Sequence, residues 1–271
     1  YPLRRQRQMC IRDSPTTAST LARDTVFAAI MIVTNGIAGI SILIGGIKHK
    51  ELGFQPVGTG SLMAALTTLS VLTMVLPNYT TTTAGPTYSS SQLVFVSLFS
   101  LLMYIALVWV QTKSHKDYFE AISTDQFKKL EASAYVPTKA KSVISFIALF
   151  ISLVVVVGLA KVLSPTISSA IALTGAPQTT VGIIVALLVL APETFAALNS
   201  ARANQLQTSF NLALGSGAAS IALTIPVVTI YSLVNEQSLS LGLDMKSITF
   251  LALTFIAVSY THLTLPTKRI V

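Results

Sequence analysis

Charge is what this chain of 271 residues has least of: Asp, Glu, Lys and Arg together make up 10% of it, against roughly 25% in an ordinary soluble domain. With a mean hydropathy of +0.70 and 52% hydrophobic residues, that deficit excludes a soluble globular fold and points to an integral membrane protein. Cysteine is reduced to Cys10 alone, which excludes an internal disulfide and a cysteine-built metal site. Histidine occurs three times and tryptophan once. What the chain has in apparent excess is positive charge, a formal +8 with a pI near 9.7, and such a balance ordinarily suggests nucleic acid as a partner.

The two ends remove that suggestion. Arg4 to Ser14 reads RRQRQMCIRDS, and Ala257 to Thr267 reads AVSYTHLTLPT. Codons exist for which the second string is the reverse complement of the first, and residue i pairs in this way with residue 271 − i through the first fourteen positions. The pairing stops at Pro15 against Ile256, whose codons cannot be complementary. An inverted repeat at both ends of an insert resembles sequencing-library adaptor DNA, so residues 1–14 and 257–271 are expected to be translated adaptor, to be set aside in fold reasoning. Without Arg4, Arg5, Arg7, Arg12, Lys268, Arg269 and Asp13 the net charge falls from +8 to +3, and Cys10 leaves with them. Nucleic acid is then not an expected partner; the lipid bilayer is.

About 30 Å of hydrocarbon needs about 20 apolar helical residues. Seven runs qualify, at about 25–47, 57–77, 92–112, 143–163, 180–201, 209–234 and from 247 onward, the last cut by the adaptor. The fold class is therefore all-α, a polytopic membrane helical bundle with about six complete transmembrane helices and part of a seventh. Residues 15–112 form one unit of three spans and 113–142 a charged loop; 143–256 hold a linking helix and a second unit. Residues 78–91 are a polar loop, and 164–179 are too short to span and are expected to form a half-helix. Lys48, Lys50, Lys113, Lys116, Lys128, Lys129, Lys139, Lys141 and Arg202 fall on one side, against Arg23, Lys161 and Lys246 on the other. The positive-inside rule places the first set in the cytoplasm.

Asp24–Leu43 overlies Gln207–Pro226 without a gap at an offset of 183, Thr25 on Thr208 and Phe27 on Phe210. The cluster Val33-Thr34-Asn35-Gly36 falls on Ser216-Gly217-Ala218-Ala219. The two helices run in opposite directions through the membrane, the pattern of an inverted-topology repeat with its substrate site near the midplane. Small residues that let any two membrane helices approach closely give a similar likeness.

Between Pro15 and Ile256 every acidic residue but one lies in a loop or at a helix end. The exception, Glu193, sits about eleven residues from either end of its span, where an ionised carboxylate costs at least ~2.5–3.5 kcal/mol. Pro192 frees the carbonyl of Leu188, and Pro226 that of Ala222. Freed carbonyls beside a carboxylate are hard oxygen ligands suited to Ca²⁺, Na⁺ or a hydrated proton. Asn211, Ser216, Ser220 and Thr224 add side-chain oxygens on the next helix, where Gly215, Gly217, Ala218 and Ala219 permit close approach. One carboxylate able to take either a proton or a metal ion is the chemistry of an antiporter. An intramembrane hydrolase would need a second catalytic group at membrane depth, and the sequence offers none, so no enzymatic activity is expected; a non-transporting membrane scaffold is the remaining alternative.

ALLVLAPETFAAL, QTSFNLALGSGAASIALTIPVVT, RDTVFAAIMIVTNGIAGISILIGG and VQTKSHKDYF together resemble the bacterial calcium/proton antiporters of the Cha type, in the cation/calcium exchanger superfamily. The resemblance implies two inverted five-helix halves, each with an alpha-repeat bearing an acidic residue, that exchange Ca²⁺, or Na⁺ or K⁺, for protons across the bacterial cytoplasmic membrane without a resident cofactor. It assigns cation and proton binding to Glu193, with Asn211, Gly215 and Ser216 as the polar turn of its partner helix. Thr34, Asn35 and Gly36 are the equivalent turn of the first repeat. The first repeat's own acidic residue is expected near position 10, inside the adaptor, so that half of the ion site is missing and the chain as it stands is not expected to transport. Some relatives carry a dense acidic cluster in the central loop, but 113–142 holds scattered charges of both signs. His49 between two lysines reads as an interfacial anchor, and Gly58-Thr59-Gly60 as a turn. The NYT at Asn78 fits a glycosylation acceptor that a bacterial chain leaves unmodified. Oligomeric state is left unassigned.

Overall fold

The structure, a computed structural model, describes residues 17–50, 53–120, 138–175 and 179–264. The first adaptor-like stretch, 1–14, and most of the central loop lie outside the described residues.

Seven helical elements follow one another among the described residues. Helix α1 covers Thr17–Met31, passes through a π-helical turn at Ile32–Ile37 and continues over Ala38–His49. Helix α2 is Pro56–Ser70, extended by a π turn at Val71–Val75 and a 3₁₀ turn at Leu76–Tyr79. Helix α3 is Ser90–Trp109 with a π turn at Val110–Ser114, and a 3₁₀ turn at Lys116–Tyr118 leads into the central loop. Helices α4 to α7 are Lys139–Thr174, Thr179–Arg202, Leu206–Val234 and Met245–Thr264. Among the described residues the β pairing is limited to one antiparallel bridge, Thr87 to Ser240. Among the described residues five segments are long and apolar enough to cross a membrane: Ala22–His49, Pro56–Tyr79, Ser90–Ser114, Ile183–Arg202 and Leu206–Val234, with Met245–Tyr260 a shorter apolar helix. Large apolar side chains such as Ile47, Phe95, Val227 and Ile230 face outward, as membrane helices require.

One boundary differs from the reading of the sequence. The half-helix expected at 164–179 is not a separate element: α4 runs unbroken for 36 residues with Pro165 inside it. A proline removes one donor, yet breaking an apolar helix would strand several backbone groups where no water can reach them, so the helix absorbs the lesser loss. It ends where Gly175 adopts φ +70°, the left-handed conformation that glycine takes without strain after a helix.

Helix α6 is the hub, packed against α1, α2, α3 and α5. Its buried face carries Phe210, Leu214, Gly217, Ala218, Ile221 and Ile225. Two buried hydroxyl pairs pin it laterally: Ser209 donates to Ser41 of α1 at 2.8 Å, and Ser97 of α3 pairs with Thr229 at 2.5 Å. Interhelical hydroxyl bonds of this kind add fixed geometry where lipid supplies no hydrophobic drive between helices.

Each end of the bundle is braced differently. At the end where α1 finishes, Lys48 Nζ donates to the Arg202 carbonyl at 2.8 Å, and His49 Nε2 lies 2.9 Å from the same oxygen. Basic side chains there meet the negative pole of α5. At the opposite end Arg23 is ion-paired with Asp24 at 2.8 Å and donates to the Gly242 carbonyl at 3.2 Å. Asn78 Nδ2 donates to the Leu243 carbonyl at 2.9 Å, so the side chain of the NYT motif is engaged in holding two loops together. Tyr88 donates from its hydroxyl to the Leu72 carbonyl at 2.6 Å, and burial pushes its pKa up to about 12.

Asp244, immediately before α7, accepts hydrogen bonds from the Ser247 side chain and from nearby backbone amides, which hold its carboxyl below the usual range. A lowered pKa stabilises the fold fully above the ordinary value near ~4 and loses that contribution as pH falls through the lowered one. Asp244→Ala should therefore destabilise α7 by only about 0.5 kcal/mol at neutral pH, since the group is solvent-exposed. The difference from the parent in thermal melts should close below about pH 4.

Candidate functional site

The first-repeat residues Thr34, Asn35 and Gly36 occupy the π turn of α1. A π turn carries one extra residue and so rotates the side chains that follow it, a device frequent at functional sites. Thr34 is buried and back-bonds to the Ile30 carbonyl at 2.7 Å. Asn35 Nδ2 donates to Thr254 of α7 at 3.1 Å. Asn35 and Gly36 also line a cavity of about 650 Å³ that reaches Arg23, Asp24, Asp244 and Ser247 at the end opposite the Arg202 cap.

In the second repeat, Glu193 and Pro192 lie inside α5, which continues through the proline. Glu193 is half-buried, and among the described residues its Oε2 is a fully buried side-chain oxygen with no hydrogen-bond partner. An unpaired polar atom in such a place costs ~1–3 kcal/mol, and a ligand is one way to recover it. Helix α5, which carries this carboxylate, lies against both α1 and α6.

On α6, Gly217 marks the tightest crossing: a Cβ there would lie 3.3 Å from Val33 Cγ1 in the π turn and 3.5 Å from Leu66 Cδ1 of α2. Ser216 is half-buried beside it, and Pro226 lies inside the helix further along. Gly215 instead faces open space, where a Cβ would meet nothing within 4 Å. Gly36 would meet only Ile32 of its own helix, at 3.9 Å.

Asn211 is held elsewhere. Its Nδ2 donates to the Phe119 carbonyl, and its Oδ1 accepts from Gln207 Nε2 at 2.9 Å. Gln207 is fully buried and also accepts from the Gln55 amide at 2.7 Å. Both ends of the Asn211 amide are thus engaged, at the end of the bundle that carries the Arg202 cap. The glycines of Gly58-Thr59-Gly60 form the first turn of α2 rather than a loop, because Pro56 begins the helix directly after an extended Gln55. A Cβ on Gly58 would overlap the Tyr118 carbonyl oxygen. The roles of Gln207, Gly58 and Phe119 carry no signature in the sequence.

Helices of membrane length, with one carboxylate midway along one of them, define a polytopic α-helical membrane protein. The chain belongs to the sodium/calcium exchanger protein family, whose pattern matches residues 9–113 and 144–270. It is similar to the candidate ionic transporter y4hA of Sinorhizobium fredii, 39% identical over 86% of this chain and 63% of the relative. The sodium-potassium/proton antiporter ChaA of Escherichia coli is 32% identical over 90% of this chain and 66% of its own length. The Ca(2+)/H(+) antiporter ChaA of Bacillus subtilis is 24% identical over 76% and 57%. The chain thus spans just under two thirds of the first two relatives. Among solved structures, native YfkE shares the fold with a TM-score of 0.67 at 18% identity, covering 91% of this chain and 68% of the other.

Proposed function

We propose that the intact protein is a secondary active antiporter that exchanges a metal cation for protons across the bacterial cytoplasmic membrane, with Glu193 binding one or the other in turn. The observation that carries this reading is that Glu193 Oε2 is buried and, among the described residues, unpartnered, on a helix packed against both α1 and α6. A carboxylate in that position is satisfied either by taking a proton or by ligating a hard cation. Ser216, Thr34, Asn35 and the carbonyls freed by Pro192 and Pro226 are the proposed neighbours of the cation. Asn211 joins them only after leaving Phe119. Gly217 and the turn glycines Gly36 and Gly215 shape the helices around them.

Ca²⁺ is the first candidate cargo. Na⁺ or K⁺ is the second, favoured by the higher identity to the sodium-potassium/proton antiporter than to the Ca(2+)/H(+) antiporter. The test is uptake of Ca²⁺, Na⁺ and K⁺, each alone, into everted vesicles holding the product of the complete gene under an imposed ΔpH. Uptake of at least one cation that collapses when ΔpH is dissipated is the expected result, and the cation that responds names the cargo. Absence of ΔpH-dependent flux for all three would sink the proposal. Sequencing the genomic locus across Ser14 and Ala257 tests the adaptor reading of the two ends.

A further inference from the structure

We infer that Phe119, seated by Gly58, is a positioning residue that closes the cytoplasmic mouth of the cation pathway and holds Asn211 out of the ligand set. The inference rests on the transport reading above, and on the charge asymmetry that puts the Arg202 end of the bundle in the cytoplasm.

The segment that follows α3 is polar and exposed at Lys116, Asp117, Tyr118 and Glu120, with Phe119 as the exception at 8% exposure. Phe119 belongs to the same apolar core as Leu66, Leu214 and Ala218. One buried aromatic in an otherwise solvated segment is an anchor, and its burial is the main favourable term holding that segment in place. Its carbonyl takes the Asn211 amide, while the preceding residues are tied to the start of α2: Gln55 Nε2 donates to the Asp117 carbonyl at 3.0 Å. The Tyr118 carbonyl fits against α2 only because Gly58 has no side chain.

Below this plug, the fully buried Gln207 links Gln55, Thr59 and Asn211 in one network, at 2.7, 3.4 and 2.9 Å. Asn211 lies five residues, about 7.5 Å along the helix axis, on the cytoplasmic side of Ser216. A cation moving between the cytoplasm and Glu193 along α6 must pass it. At the opposite end Asn35 and Gly36 line the 650 Å³ cavity. Withdrawal of Phe119 would free the Asn211 amide oxygen to turn toward a cation and would open the path in the same movement.

The test reads access rather than flux. In the complete protein, with all other cysteines removed, Ser216→Cys is labelled with a membrane-impermeant maleimide from the cytoplasmic face in everted vesicles and from the opposite face in right-side-out vesicles. Phe119→Ala should raise the cytoplasmic labelling rate about tenfold or more, the scale of losing a buried aromatic anchor, with the opposite face unchanged. Gly58→Ala should act in the same direction by displacing the Tyr118 carbonyl while keeping Phe119, and it serves where Phe119→Ala does not fold. Labelling that is unchanged in folded variants, or that rises equally from both faces as general loosening would cause, overturns the inference. A one-sided change in the Ser216→Cys background, together with no ΔpH-driven flux in the complete protein that keeps Ser216, would refute the transport reading and leave the closure standing.

Discussion

Glu193→Gln is expected to abolish ΔpH-driven cation uptake by the complete protein, lowering the initial rate at least about 100-fold, while leaving the fold intact or slightly more stable. The amide matches the carboxylate in shape but neither releases a proton nor offers an anionic oxygen, so both halves of the exchange fail together. Removing one member of a buried charged pair costs ~3–5 kcal/mol, which sets the scale for lost cation binding. Stability should move the other way, because the unpartnered Oε2 is replaced by a group that is never ionised, and an ionised residue at membrane depth carries ~2.5–3.5 kcal/mol of insertion cost. Glu193→Asp keeps the charge on a shorter arm and should keep partial flux. Uptake rates and thermal melts of the same detergent-solubilised preparations give both readouts. A Gln variant that transports at the parent rate would remove Glu193 from the mechanism.

Gly217→Leu should be the most destabilising single change in α6. The Cβ position is already 3.3 Å from Val33 and 3.5 Å from Leu66, and those neighbours are themselves fully buried on α1 and α2. Neither can retreat without moving its helix, so the extra methylenes act as overpacking worth ~1–3 kcal/mol or more. Gly217→Ala needs only a few tenths of an ångström from Val33 and should cost well under half as much. Loss of thermal stability in the order Ala then Leu supports this packing; a Leu variant that melts with the parent contradicts it. Because Val33 lies in the π turn, the Leu variant should also disturb the side chains of Thr34 and Asn35.

The spanning helices were legible because a run of about 20 apolar residues has few other uses, and the runs at 57–77 and 209–234 fall almost residue for residue on α2 and α6. Glu193 was legible for the converse reason: a carboxylate alone inside such a run is too costly to be incidental. The π turn of α1 was not. It adds one residue to a turn without any special residue type, so an ungapped overlay at an offset of 183 cannot stay in spatial register on both sides of Ile32–Ile37. The separate half-helix expected at 164–179 failed because proline's local preference was outweighed by the backbone's need for internal partners. The link between Asn211 and Phe119 joins residues 92 apart in the chain through a backbone carbonyl, which every residue possesses and no side-chain pattern advertises.

The overlay also places Gln207 on Asp24, and these two positions brace opposite ends of the molecule with different chemistry. Gln207 is a buried neutral amide holding the entry to α2. Asp24 is part of an ion pair with Arg23, each side chain 21% exposed, beside the entry to α7. Dissolved salt weakens an accessible ion pair over a Debye length of about 8 Å at physiological strength and leaves a buried amide bond untouched. The Arg23–Asp24 brace therefore follows the ionic strength of the medium it meets, and the Gln207 network at the other end does not.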